Sequence, residues 1–215
     1  MTSDAFEASV SRRVLLMAGC YADAAPSMAL AVAAALRMGA ALEGVLARDP
    51  RLEGAALFPL ARGSGALRVQ SGERLRLAYA ADARAFRVRL QQAATEASLR
   101  CGFRSDSGAL PELALALRRP GDAVILGHRR FLALRGPVVL LADGESGGSG
   151  VAGLAGDLAR RLGTRARVLP AGTALADIET LSATAIVLPQ AAGITPVALA
   201  ALVEAARCPV LLGDA

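Results

Sequence analysis

A strand–helix–strand plan occurs twice in this chain of 215 residues, at the same spacing. Each copy opens with an apolar strand and passes through a helical run to a glycine, which a second strand follows. Val14 precedes Gly39 by 25 residues, as Val138 precedes Gly163. Glycine supplies the positive φ with which many helices end, and a helix between two apolar strands is the crossover of a parallel sheet. The repeat therefore predicts an α/β chain built from two related halves.

Composition indicates how such a sheet is packed. Hydrophobic residues make up 54% of the chain, yet it contains only two Tyr, five Phe and no Trp. Small aliphatic side chains must then fill the core, which suits helices lying flat on a parallel sheet. The net charge is +5, but the arginines are spread along the chain among 19 carboxylates. Without a basic stripe or aromatic platforms, we expect no nucleic-acid partner.

Signals for membranes, secretion and metals are weak. The segment from Arg12 to Cys20 resembles a lipoprotein signal, but its apolar stretch is shorter than the roughly 7 to 15 residues required. No apolar run reaches the roughly 18 residues of a membrane span. Three cysteines at no ligand spacing and a single histidine, His128, predict neither a metal site nor disulfides. We expect a cytoplasmic protein with reduced thiols and no membrane partner.

Hydrophobic periodicity predicts the remaining elements. A helix is expected from about Pro26, and a longer one, with Leu75, Phe86 and Leu90 on its inner face, ends near Cys101. The segment Leu110–Leu117 alternates like a strand, but Pro111 and Pro120 bracket it, so we predict a helix. Further expectations are edge strand Phe103–Ser107, strands Asp122–Gly127 and Thr184–Leu188, helix Pro196–Ala206 and terminal strand Pro209–Leu212.

Taken in order, these pieces resemble a universal stress protein. The likeness rests on Gly39 to Val45, Asp49-Pro50, the long helix, Gly121 to Gly127, Val138 to Gly144, and Arg207 to Leu212, and extends from Arg13 to Gly213. It implies open parallel sheets with helices on both faces, a Rossmann-like architecture of the adenine nucleotide alpha-hydrolase-like type. The two repeats would be 12–130, lacking its last helix and strand, and 136–215, which is shortened.

The chain departs from the family's nucleotide motif. The resemblance implies a glycine after the fourth strand, a second glycine three residues further on, and a third glycine ten residues after the second, followed by Ser or Thr. Such glycines let backbone amides approach phosphate. Here Gly127 is kept, but Arg130 and Leu140 occupy the other two positions. The family's acidic residue after the first strand is Gly19 in the first copy and survives only as Asp143 in the second.

Two segments remain candidates for a nucleotide or phosphate. One is the loop between Asp143 and the next helix, where free amides and the helix dipole favour an anion; it contains a G-x-G-x-x-G match in the wrong position for a dinucleotide site. The other follows a strand's carboxyl end and carries two arginines that could fork onto phosphate. The candidate residues are Asp143, Gly144, Gly147, Gly148 and Ser149, together with Gly127, His128 and Arg129.

No arrangement of residues predicts catalysis, since His128 has no nearby nucleophile and the cysteines have no second histidine as base. We therefore expect no enzyme, no catalytic residue and no cofactor. The expected function is a non-catalytic stress-response or signalling protein with an eroded ATP motif, acting through association with an unknown protein partner. The resemblance also implies a homodimer, for which the closing strand Pro209–Leu212 could pair edge to edge. The alternative is an adenine-nucleotide sensor, for ATP or AMP, using Asp143 and the glycine loop after it.

Overall fold

The computed structural model describes residues 12–51, 65–127, 136–143, 149–189 and 193–213; for 65–72 and 149 it describes the backbone alone. The strands among these residues are β1 (Arg13–Ala18), β2 (Ala41–Arg48), β3 (Cys101–Ser107), β4 (Ala123–Leu126), β5 (Val138–Leu141), β6 (Ala166–Leu169), β7 (Ala185–Pro189) and β8 (Val210–Gly213). The helices are α1 (Tyr21–Ala24), α2 (Met28–Met38), α3 (Gly65–Glu96), α4 (Leu110–Leu117), α5 (Ser149–Arg161), α6 (Leu175–Thr180) and α7 (Pro196–Ala205). A 3₁₀ turn, Ala25–Ser27, joins α1 to α2.

All eight strands form one sheet in the order β3-β2-β1-β4-β8-β7-β5-β6. Every neighbouring pair is parallel except β4 and β8, which are antiparallel, with Val124 opposite Leu212. The predicted α/β class, with a largely parallel sheet and helices on both faces, is confirmed. The antiparallel junction means that β1–β4 run in one direction and β5–β8 in the other.

The position of β8 contradicts one expectation. The closing strand was predicted to offer a free edge to a partner, but it lies inside the sheet between β4 and β7. Its residues from Val210 to Leu212 are at most 1% exposed. Among the described strands, β4 has β1 on one side and β8 of the second half on the other. An interaction expected between two chains is thus made within one.

Helix ends follow local sequence in some places and not in others. Gly39 and Gly163 have φ values of 59° and 67°, as their places after α2 and α5 predict. The prediction that α3 runs to Cys101 is wrong. It ends at Glu96 because Ser98 takes a left-handed conformation, with φ 55°, and Leu99 N–H bonds back to the carbonyl of Ala94 at 2.8 Å. The chain then enters β3 at Cys101, opposite Leu42.

Other predicted elements need smaller changes. Leu110–Leu117 is a helix, as the bracketing prolines predict. The helical chain after β1 starts at Tyr21, before the predicted Pro26, because α1 and the 3₁₀ turn lead into α2. The connection from β6 to β7 contains no long helix, only the six residues of α6.

The central strands of the sheet are buried on both faces, which explains their continuous apolar sequences. Alternate residues of β1 enter different layers: Leu16 packs under α2, α3 and α5, whereas Leu15 and Met17 pack under α4, α6 and α7. On the first face, α2 lies between the other two helices and contacts both. The sheet edges, β3 and β6, and the carboxyl ends of the strands are therefore the places where function is sought.

Candidate functional site

Ligands of open α/β sheets bind beyond the carboxyl ends of the strands, where the strand order reverses direction. In the first half this point lies between β1, which leads to β2 on one side, and β4 on the other. Gly19 and Cys20 follow β1, and Gly127 follows β4. This crevice is one of the two positions at which the sequence predicts a nucleotide.

Backbone atoms of α1 fill the crevice between β1 and β4. A Cβ built on Gly127 would lie 2.5 Å from the carbonyl oxygen of Asp23 and 3.3 Å from the Cα of Ala24. The N–H of Gly127 donates to the carbonyl of Met17 at 2.9 Å. Glycine is therefore required here because α1 packs closely on β4, and its amide is already used within the sheet.

Cys20 stands at the start of α1, beside this crevice. Burial raises the pKa of the Cys20 thiol above its usual value of 9.0, and the neighbouring Asp23 carboxyl raises it further. A thiol held neutral in this way is a poor nucleophile, since the thiolate is the reactive form. The surroundings of Cys20 thus do not favour covalent catalysis.

In the second half the corresponding switch point lies between β5 and β7. Asp143 follows β5 there and is exposed to solvent. Its Oδ1 accepts a hydrogen bond from the N–H of Ala171 at 2.9 Å, which ties the end of β5 to the turn after β6. Gly144, Gly147 and Gly148 lie outside the described residues. Ser149 begins α5, so the carboxylate stands before a helix N-terminus as the sequence predicts.

The predicted site residues do not form one site. Because the two halves of the sheet run in opposite directions, the carboxyl ends of β4 and β5 point to opposite ends of the strand axes, and Gly127 and Asp143 lie at those opposite ends. His128 and Arg129 fall outside the described residues. The two candidate segments are therefore separate, and any ligand held by Asp143 is remote from Gly127.

A buried charge cluster is the feature that the sequence analysis missed. Arg13, Glu43 and Asp122 are 1%, 0% and 2% exposed. The Arg13 guanidinium donates to Asp122 Oδ2 from Nη2 at 2.6 Å and from Nε at 3.1 Å, and to Glu43 Oε2 from Nη1 at 3.1 Å. Arg104 lies 3.3 Å from Glu43 Oε1 and 3.1 Å from Asp106.

The sequence gives one signal for this cluster, which is a charged residue in or next to an apolar strand. Arg13 opens β1, Glu43 lies inside β2, and Asp122 directly precedes β4. Asp122 also accepts the backbone N–H of Arg13 and of Arg119, at 3.0 and 3.2 Å. A carboxylate with this many internal donors is held in place by β1 and the turn before β4. The cluster links β1, β2, β3 and the turn before β4 through ion pairs, so its arrangement is that of a group that stabilises the sheet.

The other two cysteines among the described residues are also held as neutral thiols. Burial raises the pKa of the Cys101 thiol to about 11 and that of Cys208 to about 12. Within the part of the chain that the structure describes, no three His, Cys, Asp or Glu side chains are placed to hold a metal ion. No helix there is long and apolar enough to cross a membrane.

No protein-family model matches this chain, and no curated protein sequence matches it. Among solved structures, the chain is similar to a universal stress protein from Archaeoglobus fulgidus DSM 4304. The two share 12% sequence identity, with 94% of this chain and 97% of the other covered, at a TM-score of 0.41. Values this low do not establish a common family. The α/β architecture follows from the order and direction of the strands in the sheet, and kinship with universal stress proteins remains a proposal.

Proposed function

We propose that the chain is a universal stress protein-like, non-catalytic stress-response or signalling protein that acts in the cytoplasm through association with a protein partner. The observation that carries the proposal is the filled crevice of the first half, where Asp23 contacts Gly127 and the Gly127 amide bonds to Met17. A phosphate needs free amides at such a point. Among the described residues of the first half, backbone of α1 thus occupies the crevice beside Gly127, which argues against a nucleotide there.

The interior position of β8 changes how a homodimer could form. β8 is used inside the sheet, so a dimer made by strand pairing would need β3 or β6, the edges among the described strands. β6 is short and largely exposed on both faces, and it carries Arg167. Charged residues on a short edge strand oppose pairing with a second chain. We propose a different protein as partner in preference to a dimer through the closing strand.

The second candidate is an adenine-nucleotide sensor, and the observation that favours it is the exposed position of Asp143 beside the switch point of the second half. The carboxylate stands after β5 and before α5, where a helix dipole favours an anion. Its hydrogen bond to Ala171 occupies Oδ1. ATP or AMP would then be bound by the second half alone.

Thermal unfolding of the purified chain with millimolar ATP or AMP separates the two candidates. A ligand at about 100 times its dissociation constant adds about 2.7 kcal/mol to the unfolding free energy. The proposed function predicts no shift of the melting temperature with either nucleotide. A shift that Asp143→Ala abolishes, and that the exposed control Glu179→Ala retains, would replace the association proposal with the sensor.

A further inference from the structure

The helix α2 is apolar around its whole circumference. Its sequence, MALAVAAALRM, contains one polar side chain, Arg37. One side of the helix packs on the sheet through Leu30, Ala31 and Ala34. The opposite side faces solvent, where Ala29 is exposed and Leu36 is 41% exposed. A helix that is hydrophobic on all sides is normally covered on all sides, so this outer face is expected to have a partner.

The outer face of α2 is the floor of a groove. The groove has a volume of about 740 Å³ and is open to solvent along its length. Ala93 and Ala97 at the end of α3 border it on one side, and Arg161 and Leu162 at the end of α5 on the other. The floor is formed by Met28, Ala29, Val32, Ala33 and Leu36. The eleven residues of α2 span about 16 Å, or three helical turns.

The charges around the groove are mainly positive. Two smaller cavities adjoin it: one shares Met28, Ala93 and Glu96 with the groove, and the other shares Arg161. The charged residues that line the three cavities are four arginines, Arg37, Arg89, Arg160 and Arg161, and two carboxylates, Glu96 and Asp157. Asp157 pairs with both Arg37 and Arg160, and these bonds lower the pKa of its carboxyl. An occupant with acidic side chains would complement this border.

The shape of the groove indicates the kind of occupant. Small ligands prefer enclosed pockets that bury most of their surface, whereas an open trough three turns long suits a helix with anchors at i, i+4 and i+7. A second copy of this chain is a poor fit, because a two-fold contact would set the same surface of each chain against the other. The arginines that border the groove would then face those of the second copy and repel them.

We propose that the groove over α2 binds an acidic amphipathic helix of a separate protein. Apolar side chains of that helix would pack on Val32 and Leu36, and its carboxylates would meet Arg161 and the neighbouring arginines. This inference rests on the proposed function, since it names the surface and the chemical class of the partner.

A displayed library of 16-residue helical peptides tests the assignment. Each peptide carries Leu at positions i, i+4, i+7 and i+11 and any of Glu, Lys, Gln or Ala elsewhere, and selection uses the full chain. Enriched peptides should contain more Glu than Lys. Their dissociation constants, measured by fluorescence anisotropy, should rise at least tenfold in Leu36→Asp and in Arg161→Glu, two exposed positions where the fold tolerates charge. The matched control, Val197→Asp, changes an apolar side chain that is 78% exposed on α7, on the other face of the sheet, and should leave the affinity unchanged.

Several outcomes would overturn the assignment. These are a selection with no enriched peptide, an excess of Lys over Glu, or equal affinity for the parent chain and Leu36→Asp. If deletion of residues 1–11 raised the affinity for the selected peptides tenfold, the occupant of the groove would be the chain's own acidic N-terminal segment. A dimer in light scattering that Leu36→Asp dissociates would give it to a second copy. The test of the proposed function is separate from these outcomes: the proposed function fails if ATP or AMP raises the melting temperature and Asp143→Ala abolishes that rise.

Discussion

Arg13 is the residue whose surroundings in the structure differ most from those that its place in the sequence suggests. It opens an apolar strand and could have been a solvated strand end, yet the fold buries it against Glu43 and Asp122. Removing one partner of a buried ion pair leaves an uncompensated charge and typically costs about 3–5 kcal/mol. We expect Arg13→Met to lower the unfolding free energy by about that amount, measured by urea denaturation.

Arg51→Met is the control for this prediction, because Arg51 pairs with Glu112 between two exposed side chains. Such surface pairs contribute little to stability. If both variants unfold at the parent's urea midpoint, the buried cluster does not stabilise the fold.

Cys208 gives a prediction for alkaline pH. Burial raises the pKa of its thiol to about 12, against 9.0 for an ordinary cysteine, with a hydrogen bond from Ile186 opposing the shift. The unfolded chain therefore releases this proton above about pH 9 while the folded chain keeps it to about pH 12. The unfolding free energy should fall across this window by up to about 1.4 kcal/mol per pH unit for this thiol.

The measurement is urea unfolding at pH 8, 9 and 10 under reducing conditions. Cys208→Ala should reduce the alkaline decline without abolishing it, because the Cys101 thiol, with its pKa raised to about 11, also contributes, whereas Cys20→Ala, at a partly exposed position, should keep most of the decline. An identical pH profile for the parent and Cys208→Ala would contradict the assignment of the proton release to Cys208.

At the scale of elements, the central position of β8 in the sheet is the main feature that the hydrophobic pattern of the sequence could not predict. Leu211 pairs with Ile125 on one side and Val187 on the other. Proline cannot donate to a strand ladder, and in a central strand it removes a bond and distorts the pairing. We expect Leu211→Pro to prevent folding, as judged by circular dichroism and soluble yield.

Val168→Pro in β6 is the matched control. Val138 N–H bonds to Arg165 and Ala142 N–H bonds to Leu169, so the N–H of Val168 points away from β5 at the sheet edge. This variant should fold with little loss of stability. If Leu211→Pro folds as well as Val168→Pro does, β8 does not join the two halves.

For the whole molecule, one continuous sheet predicts that the two halves unfold together. Leu158 in α5 is fully buried in the same core layer as Leu16 of β1. Leu158→Ala should cost about 2–5 kcal/mol through lost contacts and a cavity. Calorimetry should show one transition at a lower temperature, and hydrogen exchange of the β1 amides should quicken as much as that of β5. Two transitions, or exchange that quickens in β5 alone, would mean that the halves are independent domains.

The separation of Gly127 from Asp143 belongs to the same scale. Each was predicted as a ligand residue after a strand, and each does follow a strand. The sequence could not place them relative to one another, because the direction of the second half depends on the pairing of Val124 with Leu212, far apart along the chain. His128, Arg129 and the glycines after Asp143 remain predictions.

The sequence by itself determined the α/β class, most strands, the helix Leu110–Leu117 and the glycine ends at Gly39 and Gly163, because periodicity, proline brackets and positive φ are local properties. Only the tertiary structure decided that β8 would close the first half, that Arg13 would be buried among carboxylates, and that α2 would lie recessed with an apolar outer face. These depend on which distant strands and helices meet, and that choice is made by the burial of whole faces rather than by any short run of residues.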